Sequence, residues 1–363
     1  MHFNNLKTKL LLAIMSAFLA LAMGEIVLRM ISPPNPFNSI FPLYPHRVRV
    51  LEVSHQNQPP TLIHQSHNKW GLRGDEPPQN WSSACTVLAV GGSTTECYYL
   101  DDQNTWPYLL QENLKATIPD LWVGNAGLDG HSTRGHRIFM QDVVAKIHPK
   151  VILFLVGIND LALCLRGKDD VYDRPGNWRW KLFNRFRISQ MLYNGYLILF
   201  RHVAVPGKVN RFYLPQTLTN PKPLPQDLRN LIPLLPEYEA NIHQLIAMSR
   251  AMGSIPIFLT QPMLFEDTPY WRSKVGRLYW VQNESGELSA ATFAKLLNIY
   301  NQKLLEICKQ DHVECFDLAA VIPHDVKYFD DAVHFNIAGA ALVGEKVASY
   351  FNAEKLCNDV NFR

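Results

Sequence analysis

The sequence predicts an α/β protein in which a central parallel sheet of about five strands is covered by helices on both faces. Short apolar runs without alternation recur between amphipathic segments from residue 85 onward. Such runs are typical of strands buried on both faces, and their alternation with helices indicates parallel pairing. The predicted strands are Thr86–Val90, Leu121–Val123, Val151–Val156, Ile255–Thr260 and Val313–Phe316. The predicted helices are Thr105–Ala116, Arg134–Ile147, Tyr238–Met252, Ser289–Gln310 and Asn336–Phe351.

The composition is that of a globular protein with a large core. The chain has 363 residues, of which 47% are hydrophobic and 18% are charged, and its net charge is +3. This length favours one large domain with additions, or two domains. The weak positive charge and the lack of any nucleic-acid-binding motif argue against nucleic acid as a partner.

The N-terminus has the pattern of an export signal. Lys7 and Lys9 precede an acid-free apolar run, Leu10–Met23, and the apolar character resumes at Ile26–Leu28. A basic segment followed by an apolar one directs export. Residues 1–30 are therefore predicted to be a signal anchor, or else a signal peptide cleaved after the small-x-small motif at 20–22.

Two further segments differ from the predicted domain, which covers residues 83–355. Residues 31–82 are rich in Pro, His, Asn and Gln and are predicted to be an extended arm. Residues 165–236 interrupt the alternation as an insertion that is first basic and aromatic and then rich in proline. An insertion at the edge where the strands end predicts a lid, a substrate wall or a membrane-contacting surface. A solvated hairpin that packs on the domain is the simpler alternative.

The six cysteines contain no CxxC pair and no cluster with histidine, so no metal site is predicted. Cys308 and Cys315 flank a turn between a predicted helix and a predicted strand. They could form a disulfide in an oxidising compartment. Isolated buried thiols are the alternative.

The first predicted strand ends on Gly91-Gly92-Ser93, and three explanations of this turn compete. It could cradle a phosphate, present a nucleophilic serine, or simply cap a helix through the serine hydroxyl. The phosphate loop is disfavoured because neither G-x-x-x-x-G-K-[ST] nor G-x-G-x-x-G occurs.

Polar groups also follow the other predicted strands. Gly130, Asn159 and the pair Asp331 and His334 all lie beyond strand ends, where the site of a parallel sheet is found. A serine hydroxyl needs a base, which His334 can supply, and the imidazole needs an orienting carboxylate such as Asp331. The Asn159 amide and the backbone N–H groups of Gly130 and Ser93 can stabilise an oxyanion. Taken singly, each residue could instead have a structural role, such as shaping a turn.

Four of these sequence blocks resemble those of the SGNH (GDSL-type) hydrolases. The blocks are Gly92-Ser93, Asn125-x-x-x-x-Gly130, Gly157-x-Asn159-Asp160 and Asp331-x-x-His334, in the family's order. The resemblance spans roughly Cys85 to Phe351, apart from the insertion. It implies a flavodoxin-like three-layer α/β/α sandwich, with Ser93 as nucleophile, Asp331 and His334 completing a triad, and Ser93, Gly130 and Asn159 forming the oxyanion hole. One departure is Gly92, where the family's usual Gly-Asp-Ser has aspartate.

The resemblance predicts a serine esterase that works through an acyl-enzyme intermediate and needs no metal or organic cofactor. Its expected substrates are small-molecule esters or O-acyl groups of envelope glycans or lipids. An O-acyltransferase acting on an exported polysaccharide is the first alternative, and a non-catalytic glycan-binding scaffold is the second. The membrane-tethered arm also resembles that of exported bacterial members of this superfamily. The catalytic domain is therefore expected to face the periplasm from the inner membrane, or to be secreted if the signal is cleaved.

Overall fold

The structure is a computed structural model. It describes residues 2–31, 36–37, 39, 41, 43–54, 60–166, 185–189, 191–192, 208–210, 224–274 and 287–351. In chain order the strands are β1 (Val48–Ser54), β2 (Thr61–Ser66), β3 (Cys85–Gly91), β4 (Leu121–Gly127), β5 (Val151–Leu155), β6 (Lys208–Asn210), β7 (Ile255–Leu259) and β8 (Glu314–Phe316). The helices are α1 (His2–Ile31), α2 (Ser93–Glu96), α3 (Trp106–Leu114), α4 (Thr133–Phe139), α5 (Ala145–Ile147), α6 (Ile158–Arg166), α7 (Leu235–Ala251), α8 (Pro269–Arg272), α9 (Ala290–Asp311) and α10 (Ile337–Tyr350).

Five parallel strands form the central sheet in the spatial order β4-β3-β5-β7-β8. The chain moves outward from β3 to β4, crosses back over β3 to β5, and then continues in one direction to β8. This is the flavodoxin-like order, and its direction reverses at β3, where parallel sheets open a crevice at their carboxyl edge. The predicted three-layer α/β/α fold is confirmed, and Ser93 follows the strand at the switch point.

The helices cover the sheet on both faces because right-handed crossovers in opposite directions place them on opposite sides. α3, in the outward crossover, packs with α10, whereas α4, α7 and α9 belong to the crossovers in the other direction and contact each other in sequence. Ser289 and Asn336 cap α9 and α10 through their side chains, as the predicted helix starts require. The predicted helix Arg134–Ile147 runs from α4 to α5 through a π-helical turn.

The five predicted strands are present, with changed ends. β4 runs four residues past its predicted end because Asn125, Ala126 and Gly127 continue to pair with β3. The sequence pattern could not show this, since the apolar run stops at Val123 while the ladder extends through small and polar residues. Asn125 therefore lies in the sheet rather than in the loop after it.

The N-terminal arm differs from the prediction. Instead of remaining extended, residues 48–66 form an antiparallel hairpin of β1 and β2, and β6 pairs in parallel with β1. Leu51, Val53 and Ile63 pack there into a small buried cluster against Tyr98 and Tyr99, which lie just after α2. The arm is thus joined to the domain next to the turn that carries Ser93.

The helix α1 matches the predicted anchor segment. Leu6–Ile31 has a mean hydropathy of 2.3, and none of its most apolar window is buried, so it is long and apolar enough to cross a membrane. Near its end Glu25 accepts backbone hydrogen bonds from Arg187 and Ile188, at 3.0 and 3.1 Å. The described part of the insertion therefore lies against the last turns of α1. Most of the basic and aromatic insertion falls outside the described residues, including Trp178, Trp180, Phe183, Tyr193, Tyr196 and Phe200.

Cys308 and Cys315 form a disulfide, and Cys85 is also disulfide-bonded. Cys97 and Cys164 are free thiols. Of the two alternatives for the 308 and 315 pair, the structure therefore shows the disulfide. Structural disulfides are typical of proteins that fold outside the reducing cytosol.

Candidate active site

Ser93 is presented by a tight turn between β3 and α2. It is the first residue of α2, only 6% exposed, and follows two glycines. The second glycine permits close packing, since a Cβ on Gly92 would lie 2.2 Å from Nδ2 of Asn159. Thr94, the next residue, donates from Oγ1 to Gln261 Oε1 at 3.1 Å, which fixes the turn against the end of β7.

Ser93, His334 and Asp331 form one hydrogen-bonded chain. His334 Nε2 lies 2.7 Å from Ser93 Oγ. On the other side of the ring, Nδ1 lies 2.7 and 2.9 Å from the two carboxylate oxygens of Asp331. The carboxylate fixes the tautomer with hydrogen on Nδ1, so that Nε2 can accept the serine proton.

Asp331 also organises its own loop. Its Oδ1 accepts the backbone N–H groups of Val333 at 2.9 Å and of His334 at 2.8 Å. The Asp331 side chain is only 2% exposed, compared with 13% for His334. Asp330, which the sequence left as an ambiguous neighbour, instead donates its backbone N–H to the His334 carbonyl at 2.9 Å. The structure thus places Asp331, at the predicted spacing, against the imidazole.

Asn159 lies in the first turn of α6 and points toward the serine turn. Its Nδ2 donates to the His131 carbonyl at 2.8 Å and would collide with any side chain on Gly92. An amide nitrogen carries two hydrogens, and this bond uses one of them. The second hydrogen is left for another acceptor near the serine turn.

Gly130 lies on the loop between β4 and α4 and is exposed. A Cβ built on Gly130 meets no protein atom within 4 Å. What requires glycine is the backbone, because its φ of +73° lies in the left-handed region. Among the described residues, no acceptor binds the N–H of Gly130 or that of Ser93. Both donors are available to a substrate oxygen.

A buried polar pair that sequence reasoning did not identify holds the two oxyanion loops together. Asp160 Oδ1 accepts Thr133 N at 3.1 Å and Thr133 Oγ1 at 2.5 Å. Asp160 follows Asn159, and Thr133 lies three residues after Gly130. The pair joins the first turns of α6 and α4, so it fixes the distance between the two candidate donors. The Gly-x-Asn-Asp block contains Asp160, but its partner became visible only in the fold.

Two buried histidines lie behind the oxyanion loop. His131 and His136 are 2% and 1% exposed, and their Nδ1 atoms are 3.3 Å apart. Burial lowers the pKa of His136 to about 3, and burial, followed by the neighbouring imidazole of His136, lowers the pKa of His131 well below its ordinary value. Both imidazoles are therefore neutral at physiological pH, and His334 is the histidine placed to exchange a proton with Ser93.

Tyr99 forms an aromatic wall beside the candidate base. Its ring meets the His334 imidazole edge to face, with centroids 5.9 Å apart. The sequence gave no signal for this residue, since Tyr99 lies in the loop after α2 and meets His334 only in the folded chain. In the part of the chain that the structure describes, no group of three or more His, Cys, Asp or Glu could hold a metal ion.

The arrangement can carry out acyl transfer, because it combines a serine hydroxyl, an oriented imidazole and three N–H donors at one edge of the sheet. The model of the GDSL-like lipase/acylhydrolase family matches residues 89–342, which contain every one of these groups. No curated protein sequence matches the chain.

Several solved structures are similar to this chain at low sequence identity. An acetyl xylan esterase, AlAXEase, is 15% identical with a TM-score of 0.44, covering 73% of this chain and 99% of its own. The acetylxylan esterase Axe2 from Geobacillus stearothermophilus is 14% identical with a TM-score of 0.41, covering 76% and 94%. A member of the lipolytic G-D-S-L family from Veillonella parvula is 12% identical with a TM-score of 0.41, covering 73% and 97%. The family match extends over more than half of the chain, and the chain therefore belongs to the GDSL-like lipase/acylhydrolase family of serine ester hydrolases.

Proposed function

We propose that this protein is a membrane-anchored esterase that cleaves O-acyl groups through an acyl-enzyme on Ser93. The observation that supports it best is the continuous hydrogen-bonded chain from Ser93 Oγ through the His334 ring to Asp331. A serine hydroxyl with no neighbouring base is a poor nucleophile, and this chain supplies both the base and its orienting group.

In the first step, Ser93 Oγ attacks the ester carbonyl while His334 Nε2 accepts its proton. The carbonyl oxygen becomes an oxyanion, which the N–H groups of Ser93 and Gly130 and the amide of Asn159 stabilise. Each such donor contributes roughly 3 kcal/mol to lowering the barrier. The imidazolium is stabilised by the Asp331 carboxylate, and it returns the proton to the leaving alcohol as the C–O bond breaks.

In the second step, water replaces the alcohol. His334 takes a proton from the water, which attacks the acyl carbon of the ester on Ser93. The tetrahedral intermediate collapses with release of the acid, and the proton returns to Ser93 Oγ.

The expected substrates are O-acyl esters of envelope glycans or lipids. The apolar helix α1 and the disulfides support a location outside the cytoplasm, with the catalytic domain facing the periplasm. The contact between Glu25 and the insertion supports a position of the insertion near the membrane surface. Esters within reach of the membrane are the natural targets of such a domain.

The proposal is tested by labelling the full chain in detergent with a fluorophosphonate probe, which reacts with activated serines. Wild type should be labelled, whereas Ser93→Ala and His334→Ala should not. Ser83→Ala, which changes an exposed serine whose hydroxyl donates to the Asn80 carbonyl, is the matched control and should be labelled like wild type. Labelling that persists in Ser93→Ala would move the nucleophile elsewhere and overturn the proposal.

A hydrolase and an acyltransferase can use the same triad. They differ in how well the site excludes water from the acyl-enzyme. Product analysis with an acetylated glycan donor separates them. Hydrolysis predicts acetate as the product whether or not a second glycan is present. Transfer predicts acetate on the second glycan at the expense of free acetate.

A further inference from the structure

A small cavity with a volume of about 140 Å³ lies between the N-terminal hairpin and the carboxyl end of β4. Two of its walls come from loops of the candidate active site. Glu96 is the last residue of α2, which begins at Ser93, and Asp129 immediately precedes Gly130. The volume is below the 300–1,000 Å³ of a typical whole-ligand pocket, so the cavity fits one part of a larger ligand.

The wall formed by the hairpin and the following turn carries three arginines, Arg47, Arg49 and Arg73. Arg73 is paired with Asp102, at 2.8 Å. Among the described residues, neither Arg47 nor Arg49 has a carboxylate within 4 Å. Burial and the charge of Arg49 lower the pKa of Arg47. Two guanidinium groups are thus held close together and partly desolvated.

The guanidinium groups are held in place by aromatic rings. Arg49 donates to the Tyr98 hydroxyl, and its carbon Cζ lies 5.0 Å from the centre of the Tyr98 ring. Arg47 Cζ lies 4.7 Å from the centre of the Tyr44 ring. The Nε of Arg49 is buried and has no hydrogen-bond partner. A buried donor without an acceptor is costly, and an anionic ligand oxygen is the acceptor that suits it best.

The opposite wall carries the carboxyl groups of Glu96 and Asp129. Burial, followed by the charge of Asp129, raises the pKa of Glu96 to about 7, although the charges of Arg73 and Arg49 act to lower it. Carboxyl groups of this kind accept hydrogen bonds from hydroxyls, and in the protonated form they also donate. A simple anion would be repelled by this wall, whereas a ligand with a negative group on one side and hydroxyls on the other would match both.

We propose that this cavity is a subsite for a negatively charged sugar unit, such as a uronic acid, of the ester substrate. Arg47 and Arg49 bind the carboxylate of the sugar, and Glu96 and Asp129 bind its hydroxyls. The inference rests on the proposed function, because the subsite gains its role from the neighbouring Ser93. It specifies an acidic glycan as the substrate class.

The test measures binding rather than turnover, so that it does not depend on the esterase chemistry. The full chain in detergent is titrated with a β-1,4-linked glucuronate trisaccharide and with cellotriose, in which a neutral hydroxymethyl group replaces each carboxylate. Wild type should bind the glucuronate probe at least about tenfold more tightly, since guanidinium–carboxylate bonds are strong when partly desolvated. Arg49→Gln should abolish this preference.

Arg229→Gln is the matched control, because Arg229 is an exposed arginine paired with Asp227 and lies outside the cavity. It should keep the preference. Arg47→Gln, which changes the residue just before β1, provides a second test if Arg49→Gln lowers the Tm. Equal binding of the two probes, binding of neither at millimolar concentration, or a preference that survives both substitutions would overturn the inference.

Fluorophosphonate labelling of the same samples separates the two proposals. Labelling without a preference for the glucuronate probe would refute the subsite and leave the esterase chemistry standing. A preference that depends on Arg49, without labelling of Ser93, would support the subsite and refute the nucleophile.

Discussion

A Cβ atom on Gly92 would lie 2.2 Å from Nδ2 of Asn159, well inside van der Waals contact. The family's usual motif has aspartate at this position, and the present packing leaves no space for it unless Asn159 moves. The glycine thus allows the candidate oxyanion donor to approach the backbone of the serine turn closely. In this chain, the departure from Gly-Asp-Ser is part of how Asn159 is placed.

Gly92→Ala should therefore reduce kcat by displacing Asn159, without unfolding the protein. The atom that must move is the end of a side chain, so the cost in stability is small. The loss should approach the roughly 10²–10³-fold reduction expected for Asn159→Ala, because both changes remove the same oxyanion donor. Steady-state kinetics with p-nitrophenyl acetate should show this loss in kcat, with KM little changed.

The double variant of Gly92 and Asn159 provides the control. If Gly92→Ala acts through the amide, it should cause no further loss in the Asn159→Ala background. Losses that multiply, or an effect mainly on KM, would contradict the oxyanion role of Asn159.

Asp331→Asn should reduce kcat by roughly 10⁴-fold, as expected when the orienting carboxylate of such a triad is replaced by an amide. The amide oxygen can still accept the backbone N–H of Val333, so the loop should keep its shape. The amide nitrogen, however, cannot accept a hydrogen from His334 Nδ1, and the wrong tautomer becomes favoured. A pH–rate profile at saturating substrate measures the loss.

Asp330→Asn is the matched control, because this neighbouring carboxylate is not bonded to the imidazole in the structure. Its kcat should stay within about threefold of wild type, since a change away from the reacting groups has little effect on the barrier. A large loss in Asp330→Asn together with a small one in Asp331→Asn would reverse the assignment of the two residues.

The sheet and the convergence of Ser93, Asp331 and His334 were predictable because both follow from local patterns. Each buried strand is a short apolar run, and in a parallel sheet the carboxyl ends meet at one edge. Ser93 and Asn159 come shortly after such runs, and His334 lies in the longer loop between β8 and α10. The correct fold class therefore places all three at the same edge of the sheet. The register, the exact end of β4 and the position of Gly130 relative to the serine required the structure.

The hairpin of the arm was not predictable in the same way. In β1, Val48 and Val50 face solvent while Leu51 and Val53 are buried, so apolar residues occur on both faces and no alternation is visible. Its second partner, β6, lies about 150 residues further along the chain. The Asp160–Thr133 pair is equally non-local, and no sequence pattern marks the two residues as partners.

Arg73→Gln should destabilise the protein by roughly 3–5 kcal/mol, the cost of breaking a buried ion pair. Arg73 is 5% exposed and donates to Asp102 at 2.8 Å and to the Cys97 carbonyl at 2.7 Å. It also donates to the carbonyls of Glu96 and Leu100, so that it joins the arm to the segment after the serine turn. Urea unfolding followed by tryptophan fluorescence measures the change.

The exposed pair of Arg229 and Asp227 provides the comparison for Arg73. Arg229→Gln should leave the unfolding midpoint unchanged, because water screens an exposed ion pair. A free-energy change below about 1 kcal/mol for Arg73→Gln would show that the arm contributes little to the fold.

Glu96→Gln should make stability less dependent on pH. Burial, followed by the charge of Asp129, raises the pKa of Glu96 in the folded protein to about 7, above its ordinary value of 4.5. The folded state therefore holds the proton more tightly than the unfolded state. The stability that this proton provides is complete below about pH 4.5 and is lost as the pH rises through about 7.

The glutamine variant resembles the protonated carboxyl group and has no charge to bury. It should match wild type at pH 4.5 and exceed it at pH 8 by about 2 kcal/mol, allowing for the water that reaches this partly exposed carboxylate. Urea unfolding of both proteins at the two pH values gives the free energy of unfolding of each. Subtracting the wild-type value from that of the variant at the same pH cancels the contributions of all other titrating groups. A difference that is the same at both pH values would mean that Glu96 titrates normally, and that the carboxyl wall of the cavity is fully ionised at neutral pH.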